Sequence, residues 1–140
     1  MTRTAACVCG QLSVTTESEP SGVYACSCAK CQRSSGSAFS YAAVFPRTAV
    51  TVSGKHNVYR GGSDSGRWNE GHFCPDCGTN VFSYVEAEPN DIIVAAGCFA
   101  DASLKAPQIL FWASQRHHWL KLPDSTVLLE TQPGGEPGTD

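Results

Sequence analysis

The stretch that decides the fold is Cys74-Pro75-Asp76-Cys77-Gly78 (CPDCG), in which two residues separate a pair of cysteines. A gap of two turns the chain back on itself, and Gly78 permits the backbone conformation that brings both thiolates to one ion. Cys7-Val8-Cys9 near the start is the matching pair, because residues i and i+2 of a strand point to the same face. The two pairs together predict a closed tetrahedron of four thiolates.

We interpret this first group, Cys7, Cys9, Cys74 and Cys77, as a structural zinc site. Such a site would tie the N-terminal strand to the middle of the chain and would substitute for part of the core of a small domain. A redox-active CxxC motif is disfavoured, since no thioredoxin-like βαβ pattern surrounds it. An iron–sulfur cluster is the alternative that the spacing alone leaves open.

A second group of cysteines lies in Cys26-Ser27-Cys28-Ala29-Lys30-Cys31, where i, i+2 and i, i+3 spacings let three sulfurs converge on one ion. Cys98 could close the site as a fourth ligand. Alternatively, a water or a substrate thiol completes it, which is the arrangement of a catalytic zinc. Cys98 stands among small and apolar neighbours and is best interpreted as a packing residue. We therefore predict that Cys26, Cys28 and Cys31 hold a second, catalytic zinc that is lost more easily than the first.

Size and charge exclude several classes of protein. The chain has 140 residues, eight cysteines and a net charge of -3, without any run of lysine or arginine, so we expect one domain over residues 1–131 and no nucleic-acid or membrane partner. No segment is apolar enough for a signal peptide or a membrane span, which predicts a cytoplasmic protein. Cytosolic thiols stay reduced, which favours metal binding over disulfides.

The apolar pattern predicts a mainly β fold. Short alternating runs suggest strands at 11–16, 41–45, 50–53, 80–85, 92–98, 109–112 and 119–122, with turns at 60–66 and 88–91. The one helical piece expected is a turn or two after Cys28, over 29–33, which Ser34-Ser35-Gly36 ends. The tail at 132–140 has no apolar anchor and is predicted to be disordered.

The cysteine signature also resembles a known family, the glutathione-dependent formaldehyde-activating enzymes, which are related to the centromere protein V domain. The matching segments are Cys7-Val8-Cys9-Gly10, the stretch from Cys26 to Arg33 with Gly36-Ser37-Ala38-Phe39, Phe73 to Thr79, Ala96 to Asp101, and Trp112 to Trp119. The resemblance covers residues 5–122. It implies a β-tent domain of packed antiparallel sheets with a structural zinc at Cys7, Cys9, Cys74 and Cys77 and a second zinc at Cys26, Cys28 and Cys31.

The same resemblance implies a carbon–sulfur lyase activity with glutathione as cosubstrate. A coordinating thiol is deprotonated. The bound glutathione thiolate would attack formaldehyde to give S-hydroxymethylglutathione, or the adduct would be cleaved in reverse. The three cysteines would then be metal ligands, and the nucleophile would belong to the substrate.

Several further residues are candidates for contact with the substrate. Lys30 and Arg33 are the nearest cations for the glutathione carboxylates, with Arg60 and Arg67 as weaker candidates and a solvated surface charge as the alternative for each. Phe39, Tyr41 and Trp112 could line a pocket, although aromatic residues in a small β domain more often form core. His117 and His118 could supply a general base or be structural.

Departures from the family pattern leave the substrate open. They are Leu110-Phe111 after Pro107, Glu70-Gly71-His72 before Phe73, and Cys98 before Phe99. The alternative function is a non-catalytic zinc-binding interaction module on the same scaffold, since a fold does not determine a function. The sequence does not determine the oligomeric state, for which a homodimer is the hypothesis.

Overall fold

Short strands are the main regular elements of the chain. The computed structural model describes residues 2–62 and 66–131, and all structural statements below refer to them. The strands are β1 (Arg3–Ala6), β2 (Ser13–Thr16), β3 (Gly22–Cys26), β4 (Ser40–Pro46), β5 (Val50–Ser53), β6 (Asn57–Gly62), β7 (Trp68–Phe73), β8 (Asn80–Val85), β9 (Asp91–Ala95), β10 (Ile109–Phe111) and β11 (Val127–Leu128). One α-helix, α1 (Ala29–Ser35), and 3-10 segments at Arg47–Ala49, Ala96–Phe99 and Ala113–Gln115 complete the described elements.

The strands form two sheets. The small sheet has the order β1-β2-β5, and the large sheet has the order β11-β10-β3-β4-β9-β8-β7-β6. Neighbouring strands run antiparallel except for β10, which is parallel to both β3 and β11. The mainly β prediction is therefore confirmed, with one mixed region at the β10 end of the large sheet.

The main core lies between the two sheets. Inward-facing side chains such as Val14 of the small sheet, with Phe45 and Ile92 of the large sheet, are fully buried in it. Alternation along each strand produces this arrangement, as β9 shows with Ile92 and Val94 buried and the residues between and beside them only partly covered. A smaller cluster at the β10 end of the large sheet contains Ala25, Leu110 and Ala113.

The connection between β5 and β6 packs directly against the turn that precedes β2. Gly54 has a φ of 103°, and a Cβ at this position would lie 2.0 Å from the carbonyl oxygen of Gln11. Only glycine fits such a close approach between two backbones. Gln11 completes the contact by accepting from the Lys55 N–H and donating to its carbonyl oxygen.

Helix α1 begins at Ala29, where the sequence predicts, and runs two residues beyond the predicted 29–33, to Ser35. Cys28 caps its N-terminus by accepting a hydrogen bond from the Cys31 backbone N–H, and Gly36 ends it in the left-handed conformation with φ 66°. Because α1 has only seven residues, its position depends on contacts at both ends. The short helix after Cys28 is confirmed.

Three predicted segments are wrong in part or in type. The strand predicted over 92–98 ends at Ala95, and residues 96–98 belong to the 3-10 segment Ala96–Phe99. Residues 119–122 form an irregular turn, with the Leu120 N–H bonded to the His117 carbonyl, because Leu120 and Leu122 pack on the small cluster while Trp119 is exposed. Residues 60–62 were expected in a turn but end β6, where they pair with β7.

Three predictions about the whole chain have different outcomes. No helix among the described residues combines the length and apolar character that a membrane crossing requires. The predicted disordered tail at 132–140 lies outside the described residues. The domain boundary at residue 131 stays a prediction.

Candidate metal centres

Four cysteine sulfurs from two distant turns meet at one point. The Sγ atoms of Cys7, Cys9, Cys74 and Cys77 all lie within 4.8 Å of one another. Cys9 Sγ is 3.6 Å from Cys7 Sγ and 3.7 Å from Cys74 Sγ. Zinc–sulfur bonds of about 2.3 Å in a tetrahedron place the sulfurs about 3.8 Å apart, so the spacing fits a zinc ion.

Each pair of this first cluster is held by a tight turn that ends at a glycine. Gly10 has a φ of 84° and donates its N–H to the Cys7 carbonyl at 3.0 Å, and Gly78 has a φ of 80° and donates to the Cys74 carbonyl at 2.8 Å. The sequence expectation that Cys7 and Cys9 lie on a strand is wrong, because β1 ends at Ala6. Turn geometry brings their sulfurs together instead.

Neighbouring groups hydrogen-bond to the sulfurs of the first cluster. Leu12 N–H donates to Cys7 Sγ at 3.3 Å, and Gln11 Nε2 donates to Cys74 Sγ at 3.0 Å. The hydroxyl of Thr79, 3.3 Å from Cys77 Sγ, together with nearby backbone N–H groups, lowers the pKa of the Cys77 thiol to about 5. These donors favour the thiolate, the form in which cysteine binds metal, at Cys74 and Cys77. Burial and hydrogen bonds with the other three cysteines raise the pKa of Cys9 to about 12.

The second cluster, Cys26, Cys28 and Cys31, lies where β3 passes into α1. Cys26 ends the strand, Cys28 caps the helix and Cys31 lies in its first turn, so one strand-to-helix junction supplies all three sulfurs. Their Sγ atoms lie within 4.8 Å of one another, and Cys26 and Cys28 are buried. We call this group the triplet.

Electrostatics within the triplet favour a bound cation. Hydrogen bonds from the Cys26 and Cys31 thiols lower the pKa of Cys28 to about 2, while the contacts with Cys28 and Cys31 raise the pKa of Cys26. One negative charge is thus easily held on Cys28, and a second at this distance is strongly opposed. Zn²⁺ binds thiolates and would offset two of the three negative charges, so the donor set fits the metal predicted for it.

Cys98 lies away from the triplet. It belongs to the 3-10 segment Ala96–Phe99, donates its thiol to the carbonyl oxygen of Asn80 at 3.5 Å and packs against the main core. Burial raises the pKa of its thiol, and Cys7 and Cys77 of the first cluster contribute to the rise. Among the described residues, no cysteine, histidine or carboxylate joins the three sulfurs of the triplet as a fourth ligand.

Comparison with known proteins places these cysteines in a family. A family model described as glutathione-dependent formaldehyde-activating enzyme matches residues 2–115, which include both cysteine clusters. The chain belongs to this family.

One curated relative agrees with the family assignment, and one solved structure shares the fold. The chain is 34% identical over 85 residues to a Penicillium rubens protein that is assigned to glutathione-dependent formaldehyde-activating enzymes by its name, covering 59% of this chain and 42% of that protein. The chain thus spans less than half the length of this curated relative. A crystal structure of a Rhodobacter sphaeroides protein is similar with a TM-score of 0.55 and 20% identity, covering 75% of this chain and 91% of the other, and supports the fold alone.

In this family member, aromatic side chains at the end of β10 pack against the triplet, although they are distant from it in sequence. We call them the aromatic wall. Phe111 pairs with Cys26 across the parallel β10–β3 ladder, and Trp112 forms one buried cluster with Cys26 and Cys28. Tyr24, which precedes Cys26 on the same face of β3, meets the Phe111 ring edge to face at 5.2 Å. Two of the three sulfurs therefore lie in an aromatic, largely dry setting.

Gln32 of α1 connects the triplet to the segment that follows β10. Its Nε2 donates to the Ser27 carbonyl at 2.7 Å and to the Gln115 carbonyl at 3.3 Å, and its Oε1 lies 2.9 Å from His117 Nε2. Gln115 Oε1 in turn accepts from the Ala29 N–H at 3.1 Å. Both glutamines lie in segments that match the family, but the sequence assigned them no role, and their placement in space reveals the connection.

The predicted cations of the family site have different surroundings. Lys30 is exposed, and its Nζ donates to the Gly62 carbonyl at 3.1 Å, while Arg33 is exposed in the last turn of α1. Arg60 is bonded to Glu70 and stacks over the Trp68 ring. A role in holding glutathione stays a prediction for Lys30 and Arg33, and Arg60 is engaged elsewhere.

Of the aromatic and histidine candidates, some lie near the triplet and others have different surroundings. Tyr41 donates its hydroxyl to the Lys105 carbonyl at 2.6 Å, and Phe39 packs on the small cluster, whereas Trp112 lies at the triplet. His117 contacts Gln32 near the triplet, while His118 lines a groove of about 320 Å³ next to Leu110. Because residues alternate along β10, Leu110 and Phe111 point to opposite faces, and this groove is separate from the triplet.

Proposed function

We propose that this chain is a zinc-dependent lyase of the carbon–sulfur type that joins glutathione to formaldehyde as S-hydroxymethylglutathione, or cleaves that adduct. The observation that carries the proposal is the triplet, three converging thiols to which the described chain adds no fourth ligand. Three protein ligands with one free position are typical of catalytic zinc, whereas a structural site is closed. Family membership supports glutathione as the thiol.

Cys26, Cys28 and Cys31 would hold the catalytic zinc, which when bound would supply a cation that keeps a thiol ionised at neutral pH. Cys7, Cys9, Cys74 and Cys77 would hold a second zinc with a structural role. None of the eight cysteines forms a disulfide, which is consistent with a cytoplasmic protein.

The protein's own residues would orient the substrate and exclude water. The nucleophile is the glutathione sulfur, which attacks the carbonyl carbon of formaldehyde; the new alkoxide oxygen takes a proton from solvent to become the hydroxyl of the adduct. Phe111 and Trp112 limit the access of water to the buried side of the triplet. Lys30 and Arg33, both exposed on α1, are the proposed partners of the glutathione carboxylates.

A cobalt-substituted protein tests this function. We expect glutathione to change the visible absorption of cobalt in the unsubstituted sequence and in Cys98→Ser, because Cys98 lies outside the triplet. The change should be absent in Cys28→Ser, which loses one triplet ligand. The rate of adduct formation above the spontaneous rate should follow the same order.

The same measurements identify the alternative. A protein that binds cobalt at both clusters but shows no spectral response to glutathione, and no acceleration of adduct formation, would be a zinc-binding module without this activity. A response that persists in Cys28→Ser would place the thiol site elsewhere.

A further inference from the structure

Trp112 carries a hydrogen-bond donor that its surroundings leave unused. The side chain is 7% exposed and forms one buried cluster with Cys26 and Cys28. Its Nε1 is closed to solvent and has no hydrogen-bond partner among the described residues. Buried indole N–H groups usually find an acceptor, so this donor points to an acceptor that the protein itself does not provide.

The backbone of Trp112 is fixed in an unusual conformation. Its φ of 56° lies in the left-handed region, which bulky residues rarely adopt. Flanking hydrogen bonds hold it there, since Trp112 N–H donates to the Thr131 carbonyl and Ala113 N–H donates to the Leu129 carbonyl, each at 2.8 Å. The end of β10 thus turns sharply at the residue whose side chain packs with Cys26 and Cys28. Unusual backbone of this kind concentrates at functional sites.

We propose that the Trp112 indole N–H donates a hydrogen bond to the aldehyde oxygen as the carbon–sulfur bond forms. This inference rests on the proposed function. An indole N–H is a donor only, so its partner must be an acceptor. In this reaction the aldehyde oxygen is the atom that gains negative charge, because the thiolate sulfur bonds to carbon while the C=O π pair moves to oxygen.

The setting of the donor suits that role. A donor fixed beforehand and shielded from water stabilises developing charge more than a solvated one does. When the oxygen takes its proton from solvent, it becomes the hydroxyl of the adduct and can still accept from Nε1. Glutathione alone brings no aldehyde oxygen to the reacting sulfur. A change at Trp112 that requires both glutathione and formaldehyde therefore reports the adduct and not the bound thiol.

The direct test is the indole N–H region of the ¹⁵N NMR spectrum of the zinc-loaded protein. The chain has three tryptophans, Trp68, Trp112 and Trp119, whose signals can be assigned by replacing each with Phe in turn. We expect the Trp112 signal to move downfield when glutathione and formaldehyde are present together, and not with glutathione alone. The signals of Trp68 and Trp119 should stay in place and serve as internal controls.

Kinetics provide the second readout. Trp112→Phe keeps a ring in the wall but removes the donor, and loss of one such donor lowers kcat by about 100-fold in comparable sites. The KM for glutathione and the cobalt absorption should stay as in the unsubstituted protein. Trp119→Phe is the matched control, because Trp119 is 60% exposed. If Trp112→Phe fails to fold, the NMR measurement on the unsubstituted protein still decides.

The outcomes distinguish this inference from the proposed function. A stationary Trp112 signal in an active protein, or a folded Trp112→Phe with the kcat of Trp119→Phe, overturns the role of Trp112 and leaves the function intact. An unsubstituted protein that does not accelerate adduct formation removes both together.

Discussion

Asp101 illustrates how a single side chain links the small sheet electrostatically to the connection between β9 and β10. Its carboxylate accepts from the Ser103 hydroxyl at 2.6 Å and from the Ser103 N–H at 2.9 Å, and it lies 3.8 Å from Arg3 Nε of β1. The two Ser103 hydrogen bonds, and then Arg3, hold the pKa of Asp101 below its usual value. A lowered carboxyl pKa stabilises the folded state above the unfolded pKa, and this stabilisation is lost on acidification.

Replacing Asp101 with Asn should therefore cost stability in a pH-dependent way. We expect the Tm of Asp101→Asn to lie below that of the unsubstituted protein at pH 7. The difference should shrink as the pH falls through about 4, the usual range of an aspartate. Thermal unfolding of both proteins from pH 7 to pH 3 measures it, and acid loss of metal affects both alike. A difference that is constant with pH would contradict the role of this carboxylate charge.

Helix α1 shows what spacing alone can predict at the scale of an element. The cysteine spacing and Gly36 predict a short helix after Cys28, because capping and helix termination are local effects. The same holds for 50–53 and 80–85, which are strands with the expected bounds. The strand predicted at 119–122 is wrong, because a turn that packs Leu120 and Leu122 produces the same alternation of apolar residues as a strand.

The amide of Gln32 supports the triplet from the helix side. Groups that orient metal ligands typically contribute 10- to 100-fold to metal affinity, so we expect Gln32→Ala to weaken zinc binding at the triplet by about 10-fold. Competition with a chelator, followed by metal analysis, measures this without any substrate.

Gln11→Ala is the reciprocal control for this prediction. Gln11 donates to Cys74 of the first cluster, so its loss should weaken that cluster and leave the triplet unchanged. Equal metal affinity at the triplet in Gln32→Ala and in the unsubstituted protein would show that α1 is positioned by other contacts.

At the scale of the whole molecule, the first cluster joins the two sheets. Cys7 and Cys9 lie in the β1–β2 connection of the small sheet, and Cys74 and Cys77 lie in the β7–β8 connection of the large sheet. The triplet, in contrast, lies at one junction of the large sheet. Metal at the first cluster should therefore contribute more to stability than metal at the triplet.

Cys9→Ser and Cys28→Ser compare the two clusters with the same chemical change. Because a structural zinc can contribute several kcal/mol, and each kcal/mol shifts Tm by about 2–4 °C in a chain of this size, we expect Cys9→Ser to lower Tm by roughly 10 °C. Cys28→Ser should lower it much less. Differential scanning calorimetry of the zinc-loaded variants decides, and equal losses would contradict a structural role confined to the first cluster.

Long-range pairing marks the limit of what the sequence predicts about the site. The spacing indicates which cysteines converge, because the ligands of the triplet are local and each half of the first cluster is a local turn. The position of Trp112 over the triplet depends on the parallel pairing of β10 with β3. Neither the lack of a partner for its indole N–H nor its left-handed backbone can be predicted from the sequence, because both result from packing against distant segments.

The parallel β10–β3 ladder also sets a schedule for biosynthesis. Phe111 pairs with Cys26, which leaves the ribosome 85 residues earlier. At about 5–20 residues per second, the three thiols of the triplet wait roughly 4–17 s before their aromatic wall exists. During that interval the nascent chain offers them openly to metal ions and to oxidants. A metal ion that bound during this interval would protect the three thiols from oxidation until Phe111 is added.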